Sequence, residues 1–191
     1  MKNDLAIVIP YFKIDFFKET LDSLVSQTNT QFNVYIGNDA SPDNPEELIN
    51  GYEDKLNIIY QNFSENLGSK SLVKQWERCI EMVGSEKWLM ILGDDDVLEN
   101  NVIAGFYSEV EGNVQTKVFR FSTQVIDENS RKISSVFQHP KKENGLDFLE
   151  RKLTNQTRSS LSEYIFNKEE LFKTVIKDLP LAWFSDLLLV V

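Results

Sequence analysis

Three consecutive aspartates, Asp94-Asp95-Asp96, are the strongest candidates for chemistry in this sequence. They directly follow an apolar segment, residues 87–93, that predicts a buried strand. Neighbouring carboxylates repel one another, and the free-energy cost of this repulsion grows as water is removed from them. The triplet is therefore either a solvated acidic turn before a helix, where aspartate favours the helix dipole, or a site for a hard divalent cation.

Two other polar clusters follow predicted strands in the same way. Pro10 and Tyr11 come at the end of the apolar run at 5–9, and Asp39 lies in the polar turn after residues 32–37. In open α/β sheets, ligands bind beyond the carboxyl ends of the parallel strands. We therefore expect the three clusters to converge on one rim of the sheet, although they lie far apart in the sequence.

The elements that must position these clusters alternate between strand and helix. Continuous runs of branched apolar residues predict parallel strands covered on both faces, and apolar residues at helical spacing separate those runs. Ser69 or Ser71 is placed to cap the third helix. The alternation predicts an α/β domain with a mostly parallel sheet. The predicted strands are 5–9, 32–37, 56–60, 87–93 and 117–121, with helices near 16–25, 46–52, 72–83 and 101–109.

The pattern becomes irregular after about residue 123. A polar turn at 128–131 predicts a hairpin, and it is followed by a predicted strand at 160–166 and a helix at 168–175. An apolar stretch at 183–191 predicts the start of another helix. The sequence ends inside that stretch without a capping signal, so we expect a longer protein to continue beyond it.

Composition narrows the class of protein. The 191 residues are 41% hydrophobic and 26% charged, as in a soluble globular domain, and the longest apolar runs fall far below the roughly 20 residues of a membrane span. We see no signal peptide. A net charge of −10 argues against a nucleic-acid-binding protein. These features predict a cytoplasmic protein, with the inner face of the membrane as the alternative location.

The chain has one cysteine and one histidine. Cys79 excludes an internal disulfide and is expected to be buried as a small apolar side chain. His139 lies in a loop-like stretch and is expected to be an ordinary loop residue. These two residues are too few for a structural zinc site, and the lone histidine offers no evident Ser-His-Asp triad.

Five segments follow one another in a fixed order: Ile7-Val8-Ile9-Pro10, Leu24-Val25-Ser26-Gln27-Thr28, residues 34–41, Asn66-Leu67-Gly68 and residues 88–98. Together they resemble the family-two glycosyltransferases. The resemblance is clear from residue 5 to about 125. It implies a three-layer α/β/α, Rossmann-like fold called GT-A, which binds nucleotide-diphosphosugars.

The resemblance implies a role for each polar cluster. Pro10 and Tyr11 would line the base pocket, Asp39 would accept a hydrogen bond from the base or ribose, and Asp94 would bind the ribose. The sequence departs from the family pattern in this region, because Asn38 replaces one of two usual aspartates, Ala40 a glycine and Lys13 an asparagine. Alanine disfavours the left-handed backbone that glycine permits. Uracil is the base that the family uses most often.

The metal would be Mg or Mn, bound by Asp95 and Asp96, and it would bridge the diphosphate and stabilise its charge as it departs. Asn66 and Lys70 belong either to a plain helix start or to the substrate site. In the second interpretation, Lys70, or Arg78 further along, would lie near the diphosphate as a cation.

An inverting transfer also needs a base to take the proton of the acceptor hydroxyl. In this family an aspartate near the start of a late helix does so, and Asp186 occupies a similar place. The alternative is that Asp186 only favours the dipole of its helix. Trp76 and Trp88 lie at apolar-periodic positions, which predict core packing rather than sugar stacking.

The resulting prediction is one catalytic domain, residues 1–191. Residues 1–123 would bind the nucleotide sugar, and residues 124–191 would contact a saccharide or lipid-linked saccharide acceptor, with a role in surface polysaccharide biosynthesis. A continuation beyond the sequence would allow peripheral membrane association. The alternatives are a module that binds the nucleotide sugar without transferring it, and a haloacid-dehalogenase-type phosphatase, whose motif lies on an earlier strand.

Overall fold

The computed structural model of the chain describes residues 3–173. They form a six-stranded mixed sheet and six α-helices. The strands are β1 Leu5–Tyr11, β2 Phe32–Asn38, β3 Ile58–Asn62, β4 Trp88–Ile91, β5 Val118–Arg120 and β6 Tyr164–Asn167. The helices are α1 Phe17–Val25, α2 Glu46–Asn50, α3 Leu72–Ile80, α4 Val102–Val110, α5 Gly145–Leu153 and α6 Lys168–Lys173, and a 3-10 turn spans Leu161–Glu163.

The sheet has the strand order β3-β2-β1-β4-β6-β5. Strands β1 to β4 are all parallel to one another, which confirms the mostly parallel sheet that the sequence predicts. Strand β6 is antiparallel to both β4 and β5, and it lies between them. A strand from the irregular later part of the sequence is therefore built into the sheet, and β5 forms its edge.

Two apolar cores cover the two faces of the sheet. Alternate residues of β1 point to opposite faces, so that Leu5 and Ile7 join one core and Ala6 and Val8 the other. Helices α1, α2 and α4 contribute to the first core, and α3 and α6 to the second. This arrangement confirms the predicted three-layer α/β/α architecture.

Local signals set the start of α3 and its packing. The Ser71 hydroxyl accepts a hydrogen bond from the Lys74 amide at 3.1 Å, which confirms one of the two predicted caps. Cys79 is fully buried, as predicted, and burial raises the pKa of its thiol to about 12. A Cβ atom at Gly37 would overlap the Cys79 sulfur, so glycine is required for this close approach of β2 and α3. Leu72, at the first position of this helix, is 45% exposed although it is apolar.

The irregular segment between β5 and α5 contains the predicted hairpin. Antiparallel bridges join Thr123 to Phe137 and Ile126 to Lys132, and Ser130 turns the chain with φ at 59°. Trp88 packs against the rings of Phe106 and Phe119, as predicted for a core residue. Asp186 and the predicted helix at 183–191 lie outside the described residues.

Candidate functional site

The three polar clusters meet at a cavity of about 270 Å³ beyond the carboxyl ends of β1, β2 and β4. We call it the rim cavity. It confirms the predicted convergence, because the segments after all three strands contribute to its wall, together with α3 and residues 160–162. The lining residues are Pro10, Tyr11, Phe12, Asp39, Leu72, Gln75, Trp76, Ile91, Leu92, Gly93, Asp96, Ser160, Leu161 and Ser162.

Asp39 is the most heavily hydrogen-bonded acid of the site. Its side chain is 6% exposed, and its carboxylate accepts hydrogen bonds from the amides of Leu67 at 2.6 Å and Gly68 at 2.9 Å. The Arg78 guanidinium also donates to it, and this guanidinium lies 3.9 Å above the centre of the Phe63 ring. Asp39 thus fastens the turn before α3 to the rim, and the buried ion pair balances its charge.

This arrangement gives Arg78 two partners and explains one glycine. Arg78 donates to Gln75 and forms an ion pair with Asp39, and its alternative role as a cation for the diphosphate stays a prediction. A Cβ atom at Gly68 would lie 2.5 Å from Asp39 Oδ2, so only glycine allows the turn to approach the carboxylate.

The turn after β2 accommodates the two departures from the family pattern. Asn38 Oδ1 accepts a hydrogen bond from the Ser41 amide at 2.9 Å, and the amide group of Asn38 donates to the Tyr60 hydroxyl. Ala40 adopts φ of 51°, the left-handed conformation that was expected to be unfavourable for alanine. Such a conformation costs a non-glycine residue about 1 to 2 kcal/mol. The turn is therefore kept in shape by its hydrogen bonds rather than by local preference.

Asp94 connects the acidic triplet to the segment after β1. Its Oδ2 accepts hydrogen bonds from the amides of Phe12 at 2.7 Å and Lys13 at 2.8 Å. Burial raises the pKa of Asp94, and the Lys13 and Phe12 amides oppose that rise by favouring the charged form. The contact holds two sides of the rim together, and the predicted role of Asp94 at the ribose stays a prediction.

Asp95 and Asp96 face the same point beside Gly93. A Cβ atom on that glycine would lie 2.9 Å from Asp96 Oδ2 and 3.0 Å from Asp95 Oδ1. Asp95 is exposed, whereas burial raises the pKa of Asp96. Among residues 3–173 no group of three acidic, histidine or cysteine side chains is arranged to hold a metal. Two carboxylates that leave the remaining positions to phosphate oxygens and water are what Mg²⁺ commonly uses, so this pair fits a metal that arrives with a diphosphate.

Ser162 is a site residue that the sequence analysis did not identify. Its hydroxyl donates to Asp96 Oδ2 at 2.5 Å and accepts from the Gly93 amide at 3.1 Å. The hydroxyl therefore fixes one of the two converging carboxylates. The only sequence signal would have been a polar residue just before a strand, and that signal has no meaning until β6 is known to lie beside β4.

Two predicted substrate residues lie away from the rim cavity. Asn66 Oδ1 accepts from the Ser69 amide at 2.7 Å, and the Lys70 ammonium group lies 3.1 Å from a carboxylate oxygen of Glu65. Neither Asn66 nor Lys70 lines the cavity. These contacts are those of a helix start, and a role for either residue in substrate binding stays a prediction.

Two aromatic residues of the cavity wall also pack in the core. Tyr11 is fully buried, its ring lies 4.7 Å from that of Phe17, and its hydroxyl donates to the Asp43 carbonyl. Trp76 packs against the second core as predicted, and it lines the rim cavity as well. Core contacts therefore fix the positions of both rings.

The fold matches solved glycosyltransferase structures. S. aureus TarS (residues 1–349) superposes with a TM-score of 0.76 at 17% identity, over 100% of this chain and 54% of that one. The same protein in complex with UDP-GlcNAc gives 0.73 at 17% identity, over 92% and 48%. The mannosyltransferase PcManGT from Pyrobaculum calidifontis, in complex with GDP-Man and Mn²⁺, gives 0.65 at 11% identity, over 98% and 50%. The chain thus has the predicted GT-A fold and spans about half the length of these structures.

Sequence comparison gives the family directly. No curated protein sequence matches the chain. The sequence pattern of glycosyl transferase family 2 matches residues 6–168, a range that holds the whole rim cavity and all six strands except Leu5, the first residue of β1. Since that match covers most of the chain, the protein belongs to glycosyl transferase family 2.

Proposed function

We propose that this domain binds a nucleotide-diphosphosugar with a divalent cation at the rim cavity and transfers the sugar to an acceptor hydroxyl. The single observation that carries the proposal is the meeting of Asp39, Asp95 and Asp96 at this rim in a family-two chain. Solved relatives of the same fold hold UDP, UDP-GlcNAc, or GDP-Man with Mn²⁺. A UDP-sugar is the donor we propose, because uracil is the commonest base in the family.

Each part of the rim has a task in this proposal. Pro10 and Tyr11 border the base, Asp39 accepts a hydrogen bond from base or ribose, and Asp94 contacts the ribose. Asp95 and Asp96 would hold Mg²⁺ or Mn²⁺, which would neutralise charge on the departing diphosphate. The buried part of the wall, which includes Tyr11 and Leu92, would lower the local dielectric constant and strengthen these electrostatic interactions.

Ser162 is expected to act as a positioning residue for Asp96. Replacing it with alanine removes the hydroxyl between Gly93 and Asp96, so we expect affinity for UDP with Mn²⁺ to fall by about 10- to 100-fold, as when other outer-shell partners of metal ligands are lost. Affinity for UDP without metal should stay unchanged. Calorimetric titrations of UDP, with and without Mn²⁺, measure both constants.

The controls for this prediction come from the same loop. Ser160→Ala changes a serine that lines the same cavity without bonding to Asp96, and Ser162→Thr keeps the hydroxyl. Both variants should bind the metal complex like the wild type. Equal Mn²⁺ dependence in Ser162→Ala and Ser160→Ala would exclude the positioning role.

Asp186 is the proposed base that takes the proton from the acceptor hydroxyl in an inverting transfer. Asp186→Asn is expected to lower the turnover number by about 100- to 10,000-fold, the usual contribution of a positioned base, while nucleotide binding is kept. Release of UDP from UDP-sugars measures turnover, and Asp178→Asn is the control variant in the same terminal segment. Equal turnover in Asp186→Asn and the wild type would remove Asp186 from this role.

Thermal melting tests the proposed function as a whole. UDP, GDP and their sugars should each be tested with and without Mn²⁺, because a ligand that binds the folded state raises the melting midpoint. We expect the largest rise with a UDP-sugar and Mn²⁺. No rise with any nucleotide would refute the proposal, and a rise without sugar transfer by the full-length protein would favour a binding module.

The proposal also covers the acceptor and the location of the protein. Residues 1–123 bind the donor together with residues 160–162, which line the rim cavity, and the other later residues contact a saccharide or lipid-linked saccharide acceptor in surface polysaccharide synthesis. No helix within residues 3–173 is long and apolar enough to cross a membrane. We propose a cytoplasmic domain that can act at the inner face of a membrane through other parts of a longer protein.

A further inference from the structure

A second cavity, of about 580 Å³, lies along the edge strand β5, and we propose that it binds an oxyanion, a phosphate or carboxylate group. We call it the basic cavity. Its wall includes Arg120 of β5, His139, Lys141 and Lys142 of the following loop, and Gly145 at the start of α5. It shares no lining residue with the rim cavity.

The basic cavity extends along β5, and one of its ends approaches the rim cavity where β6 begins. Strand β6 is antiparallel to β4 and β5, so its first residues lie beside the carboxyl ends of both. Residues 160–162 line the rim cavity, and Tyr164 lines the basic cavity. Between them, Glu163 accepts a hydrogen bond from Arg120 at 2.6 Å. A ligand at the Arg120 end of the basic cavity would therefore be separated from the rim cavity by the start of β6.

Unsatisfied buried nitrogens mark the basic cavity. Within residues 3–173, four buried side-chain atoms lack a partner at hydrogen-bond distance, and three of them are the two ring nitrogens of His139 and Nη1 of Arg120. The nearest carboxylate oxygens lie beyond that distance, with Glu163 Oε1 at 3.7 Å from His139 Nε2 and Glu143 Oε2 at 3.9 Å from Arg120 Nη1. The His139 side chain is only 6% exposed. Buried polar atoms in proteins are nearly always paired, and an orphaned group often indicates a missing water or ion. The concentration of three such atoms beside one cavity points to a ligand with acceptor oxygens.

The charge of the wall selects an anion rather than a metal ion. The carboxylates of Glu143 and Glu163 are already bonded to Arg151 at 2.5 Å and to Arg120, so they are not available as metal ligands. Lys141 and Lys142 are exposed and have no ion-pair partner among residues 3–173, in a chain of net charge −10. The nine-residue helix α5 also begins at the cavity. Asn144 accepts hydrogen bonds from the amides of Asp147 and Phe148, so the amides of Gly145 and Leu146 are the ones left to favour negative charge.

His139 fits this interpretation as a neutral hydrogen-bonding group. Burial, with the nearby charges of Arg120 and Arg151, lowers the pKa of its ring to about 4. At neutral pH the ring has one N–H donor and one acceptor nitrogen. Since the ring is neutral, the positive charges that attract the anion come from Arg120, Lys141 and Lys142. The ring of His139 is a neighbouring group whose NMR signals would change when the anion binds.

The single histidine of the chain allows a direct test. Inorganic phosphate is titrated at constant ionic strength while NMR follows the ring resonances of His139, the only histidine among the 191 residues. We expect a saturable change in the wild type, and an affinity at least about tenfold lower in Lys141→Ala/Lys142→Ala, because two charged donors are removed. The control Lys18→Ala/Lys55→Ala removes the same charge from exposed positions elsewhere and should titrate like the wild type.

A change that does not saturate, or that is equal in both double variants, would overturn the proposal. The titration contains neither nucleotide nor metal, so its failure is distinct from failure of the proposed function. A second arm identifies the source of the anion. If Lys141→Ala/Lys142→Ala raises the KM for a phosphate-bearing acceptor but not for a neutral acceptor, the cavity binds the acceptor. A phosphate effect on transfer to a neutral acceptor would assign it to a free anion.

Discussion

Replacing Asp39 with alanine is expected to lower the free energy of unfolding by about 3 to 5 kcal/mol, the usual loss when one partner of a buried ion pair is removed. The Arg78 side chain, 16% exposed, would keep its charge without a counter-charge, and the amides of Leu67 and Gly68 would lose their acceptor. Urea denaturation followed by circular dichroism measures the change.

The matched control for Asp39→Ala is Asp43→Ala, which removes an exposed carboxylate from the same turn. It should change stability by less than about 0.5 kcal/mol, as is usual at the surface. Arg78→Met and the double variant complete a double-mutant cycle. The double variant should lose less stability than the two single losses together, because it leaves no uncompensated charge. Strict additivity would contradict the structural pairing of Asp39 with Arg78.

Replacing Asp95 with asparagine is expected to abolish the metal-dependent part of nucleotide binding and to lower sugar transfer by about a thousandfold. A bound metal contributes several kcal/mol of charge stabilisation, and each 1.4 kcal/mol corresponds to a factor of about ten in rate. Because Asp95 is exposed, the fold should be unaffected. Melting midpoints without ligand, with UDP, and with UDP and Mn²⁺ separate the effect on binding from any effect on folding.

The control for the metal prediction is Asp54→Asn, which removes the same charge from an exposed position after α2. It should keep the full rise of the midpoint with Mn²⁺. Asp96→Asn should behave like Asp95→Asn without a large loss of stability, because the amide oxygen can accept the Ser162 hydrogen bond and no buried charge remains. If Asp95→Asn retained the Mn²⁺-dependent rise, the pair beside Gly93 would not be the metal site.

The two predictions concern different parts of the same rim. Asp39 stabilises the fold, because its hydrogen bonds hold the segment before α3 against the end of β2. Asp95 is exposed and is expected to act only when a ligand is present. Measuring stability and metal-dependent binding separately in both sets of variants therefore tests whether Asp39 stabilises the fold and Asp95 binds the metal.

The sequence by itself determined the order of the elements and the residues that converge on the rim. Apolar periodicity is local, and each of the first four strands is recognisable from a few neighbouring residues. The carboxyl ends of parallel strands share one edge, so Pro10, Asp39 and Asp94 could be assigned to one site without knowing any distance. The same local signals found the Ser71 cap and the buried Cys79.

Only the tertiary structure decided which groups contact one another within that site. Arg78 pairs with Asp39 across 39 positions of sequence, and Ser162 with Asp96 across 66. The second contact exists because β6 lies between β4 and β5, a strand order that no local pattern encodes. The burial of His139, expected in an ordinary loop, has the same origin. Periodicity reports how a segment meets its own neighbours, whereas these contacts depend on how distant segments pack.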